Sequence, residues 1–285
     1  MDWRAFLVVL VIVNIMTIIL TKLIADSLEN KTSGVFFQFL FSALLSLGYA
    51  AFFDGLSFTL PLLLIALMGL VNSFGNYCFW KAMKLSMSKT SLFIPLIDVM
   101  AIILAIILLQ EAKDLTWHII FGAALCFVSI WLFRSSHSRK EKANAEWLAY
   151  MATCVIIAGI GTFLMKVFTF SSGTGTFLVG WYGGSLVGAS LLSLAKKEKI
   201  VLLSAKHFAL IFFLSLSIVG FLGTLFYVFG HGGPMAIVLP IKSITGTIFP
   251  VLIGWVFFSE YKQLRRREYL AFAVGILGIV FIIIK

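Results

Sequence analysis

The chain has 285 residues, 61% hydrophobic and 12% charged, with a mean hydropathy of +1.08 and a net charge of +10. A soluble domain is nearer one half apolar and about one quarter charged, so this composition excludes an ordinary water-soluble globule and implies a surface solvated by lipid. The apolar runs are about 20 residues long, enough to cross a bilayer as helices, and they lack the alternation of barrel strands.

Hydropathy predicts helices at 4–24, 35–53, 60–82, 90–109, 115–133, 147–169, 175–194, 207–229, 235–257 and 268–284. The first carries Lys22, followed by Asp26 and Glu29; its run is too long for a signal-peptide core and has no small-residue cleavage site. The third carries Asn72, Asn76, Tyr77, Trp80 and Lys81, with Asn72 and Asn76 one turn apart on one face. The fourth holds Pro95 and Asp98 between apolar neighbours, and Glu111 follows it. The longest polar stretch runs from Arg134 to Glu146 and reads as a linker. Lys166 lies in the sixth helix, Trp181 and Tyr182 in the seventh, Tyr227 in the eighth, Lys242 just past Pro240 in the ninth, and Glu260 after it. Gly161, Gly173, Gly175, Gly180, Gly183, Gly184 and Gly188 crowd the sixth and seventh helices, where they serve close packing or bending. Cys78, Cys126 and Cys154 sit in apolar runs without metal-ligand spacing and read as small buried residues. The run Gly230 to Pro234 around His231 lacks the Lys-Ser/Thr of a phosphate loop and reads as a tight turn.

The chain reads twice. The segment Thr17-Ile-Ile-Leu-Thr-Lys22 matches Thr162-Phe-Leu-Met-Lys166, Pro95 matches Pro240, and Glu111 matches Glu260, at offsets of 144, 145 and 149. Residues 1–134 and 147–285 thus form two five-helix copies around a basic linker, 135–146. Five is odd, so the second copy enters the bilayer inverted, giving an all-α integral membrane protein of about ten spans in two inverted repeats. Alternate loops carry Lys31; Lys84 and Lys89; Arg134, Arg139, Lys140 and Lys142; Lys196, Lys197, Lys199 and Lys206; and Lys262, Arg265, Arg266 and Arg267. The opposite set has only Arg4, Lys113 and Lys285, so the charge bias puts the linker in the cytoplasm and both termini outside. The basic balance reads as topology signal and anionic-lipid contact, with no nucleic-acid partner.

The order Lys22, Pro95, Glu111, Gly122, then Lys166, Pro240, Glu260, Gly275 and Gly278, resembles the drug/metabolite transporter superfamily, specifically transporters built from two EamA-type domains. The resemblance covers nearly the whole chain and is specific for the superfamily, not for a substrate. It implies a plasma-membrane carrier of small molecules, and efflux of amino acids or related compounds. This chain departs from the pattern in three ways. About four extra positions precede the last helix, around Arg265 to Glu268. Phe36, Phe37 and Gln38 stand where a basic residue is common. The charge bias opposes the cytoplasmic termini described for members.

Charges at bilayer depth cost about 2.5–3.5 kcal/mol on insertion scales, so each needs a reason. Asp98 and Lys242 lie at near-equivalent points of helices that the superfamily brings together at its centre. Three roles stay open for them: a structural ion pair, a substrate clamp in which Lys242 takes a carboxylate or phosphate, and proton coupling through Asp98. Lys22 and Lys166 either snorkel to headgroups or act as cavity charges at opposite mouths. Glu111 and Glu260 either solvate helix ends or reach Lys22 or Lys166 as gates. Asn72, Asn76, Lys81, Trp80 and Tyr227 either tie helices together and belt the interface or line a cavity.

These features predict a secondary carrier working by alternating access, with a small-molecule substrate, protons as candidate coupling ion, no cofactor and no metal. The alternatives are exchange of phosphorylated or nucleotide-linked anions and, from another class, an intramembrane enzyme or a scaffold. Asp54, Asp98 and Asp114 are too scattered for a divalent-metal site and His118, His137, His207 and His231 are isolated, which weighs against the enzyme. A homodimer stays open.

Overall fold

The computed structural model describes residues 5–86, 89–90, 93–109, 117–118, 121–122, 124–125, 128, 132, 141–233, 235, 238–239, 242 and 266–283. Among these, eight helices are complete: α1 Ala5–Ser27, α2 Lys31–Tyr49, α3 Leu60–Leu85, α4 Pro95–Leu108, α5 Glu141–Phe168, α6 Thr174–Lys196, α7 Ala205–Gly230 and α8 Arg266–Ile283. Six stretches are long and apolar enough to span a membrane: Ala5–Ser27, Lys31–Asp54, Leu60–Leu85, Ala145–Phe168, Thr174–Lys196 and Ala205–Gly230. The chain is a multi-pass α-helical membrane protein. Its burial pattern says the same, because α1 exposes Val8, Ile12 and Met16 on one stripe while burying Asn14, Thr21 and Lys22 on another. Polar inside and apolar outside is the arrangement a lipid solvent imposes.

Several helix ends fall where local chemistry, not hydropathy, puts them. Hydropathy starts the second helix at 35, but α2 begins at Lys31 because Asn30 caps it, its Oδ1 accepting from Ser33 N at 2.9 Å. Asn30 Nδ2 also donates to Lys199 O at 3.2 Å. Asn30→Ala is therefore expected to lower stability by about 1 kcal/mol, a typical N-cap loss, read as a fall in the melting temperature. Lys31, expected among the loop charges that signal topology and meet anionic lipid, is buried, and its ammonium caps the end of α1 through Ala25 O and Leu28 O.

At its other end α2 runs into a π-turn, Ala50–Asp54, closed by Gly55 at φ 74°. The predicted helix at 90–109 is interrupted at Pro95, which opens α4 as its first residue; Lys89, Thr90 and Phe93 are helical before it. Ser86 turns the chain out of α3, its Oγ accepting from Lys89 N at 3.2 Å. The expected linker 135–146 is helical from Glu141 onward, so α5 starts six residues before the expected 147. The predicted helices at 115–133 and 235–257 lie mostly outside the described residues, although 117, 118, 121, 122, 235, 238, 239 and 242, among others, are helical.

The chain divides into two compact units, Met1–Lys81 with Leu164–Gly233, and Ala82–Phe163 with Pro234–Lys285. Each draws on both halves of the sequence. In the first, α1 packs on α7, and α2 packs on α6 and α7. Phe177 stacks on Phe226 at 4.3 Å, and Phe39 approaches Tyr182 at 6.5 Å. Helices α3 and α6 touch backbone to backbone. A Cβ on Gly184 would overlap Ala66 O, one on Gly188 would overlap Leu70 O, and one on Gly69 would overlap Trp181 O. Gly180, Gly184 and Gly188 thus form a small-residue stripe, and close packing, not bending, explains them. Gly183, next to the stripe, faces open space.

In the second unit, Ala82, Phe93, Trp147 and Met151 form a buried cluster. Trp147 meets Phe93 edge-on at 4.9 Å and donates from Nε1 to Thr90 Oγ1 at 3.1 Å. Gly159 of α5 lies against the Met100 side chain of α4.

Candidate functional site

Within the second unit, Asp98 and Lys242 meet. Lys242 Nζ donates to Asp98 Oδ1, and the two residues are 2% and 6% exposed. Asp98 lies in the first turn of α4, three residues past Pro95. Removal of either partner would leave the other a buried charge without this counter-charge, which is the costly case.

The first unit holds a different set. Asn76 Nδ2 of α3 donates to Gln38 Oε1 of α2 at 2.8 Å, a side-chain amide bond between two helices. Asn72 Nδ2 faces Ser185 Oγ at 3.5 Å, the long limit of a hydrogen bond, while Ser185 Oγ donates to Gly69 O at 2.8 Å. Trp80 is fully buried with the outer edge of its ring against Gly34, and its Nε1 makes no hydrogen bond among the described residues. Lys81 and Lys196 both lie over the Tyr77 ring, at 5.5 and 4.5 Å from its centroid.

Lys22 and Lys166 are both buried, at 5% and 9% exposure. Lys22 pairs with Asp26 one turn on at 3.1 Å, and Lys166 sits 5.9 Å over the Phe229 ring. Tyr227 stacks on His231 at 3.8 Å and touches Phe6 at 4.7 Å, an aromatic group at the end of α7. Tyr182 is buried and donates from its hydroxyl to Ile218 O at 3.1 Å, which makes it a tie between α6 and α7. Glu111 and Glu260, the expected gate residues, lie outside the described residues.

No protein-family model matches the chain, and no curated protein matches it. Solved structures do match. One, titled "Crystal structure of protein", superposes with a TM-score of 0.63 at 14% identity, over 95% of this chain and 97% of that one. At that identity the likeness carries the fold alone.

Two polar features escaped the sequence reading. Gln38, Ser42 and Ser46 recur every fourth residue and are buried along one face of α2, a period visible in the sequence but hidden by the apolar background. Asp54 Oδ2 accepts from Gly175 N at 2.6 Å, and Thr176 Oγ1 accepts from Ser57 N at 3.1 Å, so the end of α2 caps the start of α6. At the opposite end Thr32 donates to Glu198, and Ser33 Oγ accepts from Val201 N at 2.9 Å. Helices α2 and α6 are tied at both ends.

Proposed function

We propose that this protein is a secondary carrier of small metabolites, working by alternating access on the EamA-type plan of ten helices in two inverted repeats. One observation carries the reading. Asp98, three residues past Pro95, and Lys242, two residues past the matching Pro240, lie at near-equivalent points of the two copies, and they touch. Near-equivalent positions of a twofold repeat meet only close to its axis. A charge pair at the axis of two similar halves is where a carrier holds its substrate or coupling ion.

The helix bounds support the same repeat. Shifted by 144, α2 falls on 175–193 and α3 on 204–229, against Thr174–Lys196 for α6 and Ala205–Gly230 for α7. The end ties agree with inversion as well. The segments around Asp54 and Gly175 share one end of the first unit. An even number of crossings must then separate them, and α3, α4 and α5 are three. The tenfold plan supplies a fourth at 115–133. A scaffold needs none of the buried Lys22, Lys166, Asp98 and Lys242.

Small zwitterionic or anionic metabolites, amino acids first, are the substrates this reading favours, and efflux is the direction. Uptake of a labelled metabolite panel into proteoliposomes, with and without an imposed proton gradient, tests it. A solute that accumulates only with the gradient identifies proton coupling. Orientation is tested separately: a reporter that works only in the cytoplasm, fused after Lys285, is expected to stay silent, and activity there overturns the outside termini.

A further inference from the structure

Four phenylalanines at one end of the first unit are left uncovered by the protein. Phe52 and Phe53 lie in the π-turn that ends α2, Phe58 in the connection to α3, and Phe170 in the connection from α5 to α6; each is 76–84% exposed. Leu60, the first residue of α3, is exposed too. The two connections share one end of the unit, because Asp54 Oδ2 accepts from Gly175 N and Thr176 Oγ1 accepts from Ser57 N. Large apolar rings gathered in this way mark a surface that meets protein or membrane.

Charge, backbone bonding and length all favour lipid as the cover. Residues 49–60 and 168–175 contain one charged side chain, Asp54, and its carboxylate is engaged by the Gly175 N–H. The other end of α2 and α6 is different: exposed Lys197 and Lys199 flank Glu198, which meets Thr32 at the start of α2. Lipid offers few hydrogen-bonding groups, so a connection that enters it must bond to itself. The N–H groups of Thr169, Phe170, Ser171 and Ser172 all turn back to carbonyls between Met165 and Phe168, at 3.0–3.3 Å. The hydroxyls of Thr169 and Ser172 do the same, at 2.7 and 2.9 Å, and Gly55 N closes the π-turn on Ala50 O at 2.7 Å. With its π-turn, α2 runs for 24 residues, Lys31–Asp54. That is about 36 Å by helix rise, against about 30 Å of hydrocarbon. Its phenylalanine end therefore reaches the boundary of the acyl chains, where aromatic side chains gather. Phe has no polar atom to leave in water, so its ring belongs on the acyl side of that boundary.

We infer that these two connections form a lipid anchor, in which Phe52, Phe53, Phe58 and Phe170 insert among the acyl chains just beneath the phospholipid headgroups of one leaflet, the one away from Lys197 and Lys199. The anchor sets the depth of the first unit in the bilayer. It is independent of the carrier reading and holds equally for a scaffold.

The test places a nitroxide label on the full-length chain in vesicles of phosphatidylcholine and phosphatidylglycerol. Phe58→Cys, Phe170→Cys and, as the control, Lys199→Cys are made singly in a chain whose Cys78, Cys126 and Cys154 are replaced by alanine. Collisions of each label with oxygen, which concentrates in acyl chains, are compared with those of a water-soluble nickel chelate. At 58 and 170 oxygen collisions are expected to exceed nickel collisions several-fold, and at 199 the order is expected to reverse. Labels at 58 and 170 as open to nickel as the one at 199 would put the connections in water and overturn the anchor. Labels shielded from both probes would mean that protein covers the rings, which overturns it as well. Should the cysteine-free chain fail to fold, Phe58→Trp in the otherwise native chain gives the same reading. Its added fluorescence is expected to be quenched by brominated acyl chains and not by aqueous iodide, and the opposite result overturns the anchor.

Discussion

Gly184→Ala is expected to destabilise the protein by about 3 kcal/mol, at the upper end of overpacking costs, while Gly183→Ala leaves it as stable as wild type. The adjacent glycines differ only in direction. A methyl on Gly184 would overlap the Ala66 carbonyl oxygen of the facing helix, a backbone atom that cannot swing aside, whereas one on Gly183 meets nothing within 4 Å. Relief requires α3 and α6 to separate, which would also disturb the Ser185 Oγ to Gly69 O bond in the same crossing. Thermal melting in detergent, together with the yield of monodisperse protein, reads the difference. Equal behaviour of the two variants would mean that α3 and α6 do not pack through this stripe.

The second large effect concerns the buried ion pair. Asp98→Asn leaves the Lys242 ammonium buried without its counter-charge, and such single removals cost about 3–5 kcal/mol. The double variant Asp98→Asn, Lys242→Gln removes both charges and is expected to recover most of that loss, since neutral amides of similar volume need no counter-charge. Stability alone assigns no role, so transport must be measured on the double variant. A folded, inactive double variant makes the pair part of the machinery. A folded, active one reduces it to a strut. Retention of substrate binding with loss of proton dependence in the double variant would assign Asp98 to coupling.

The distribution of what the sequence revealed has a physical basis. Membrane helices announce themselves by length and hydropathy, because lipid tolerates nothing else, and so most spans were legible. Ends were not, since caps such as Asn30 and the π-turn at Ala50–Asp54 depend on a few local bonds. The meeting of Asp98 and Lys242 was anticipated from the resemblance, which brings their two helices together, and their contact is what the structure shows. The buried polar face of α2 through Gln38, Ser42 and Ser46 was not, because the helices packed against α2 decide which of its faces is buried. The choice between Gly183 and Gly184 was equally hidden, because neighbours on a helix point about 100° apart and only the facing helix distinguishes them.

Alternating access itself is tested most directly by counterflow. Proteoliposomes loaded with an unlabelled substrate, drawn from the amino acid and anionic metabolite panel, are diluted into a trace of the same labelled solute. A carrier that exposes one site to each side in turn will take up label faster than empty vesicles do and will overshoot equilibrium before relaxing. Folded protein that shows neither saturable uptake nor trans-acceleration for any member of the panel would contradict the carrier account and leave a membrane scaffold in its place.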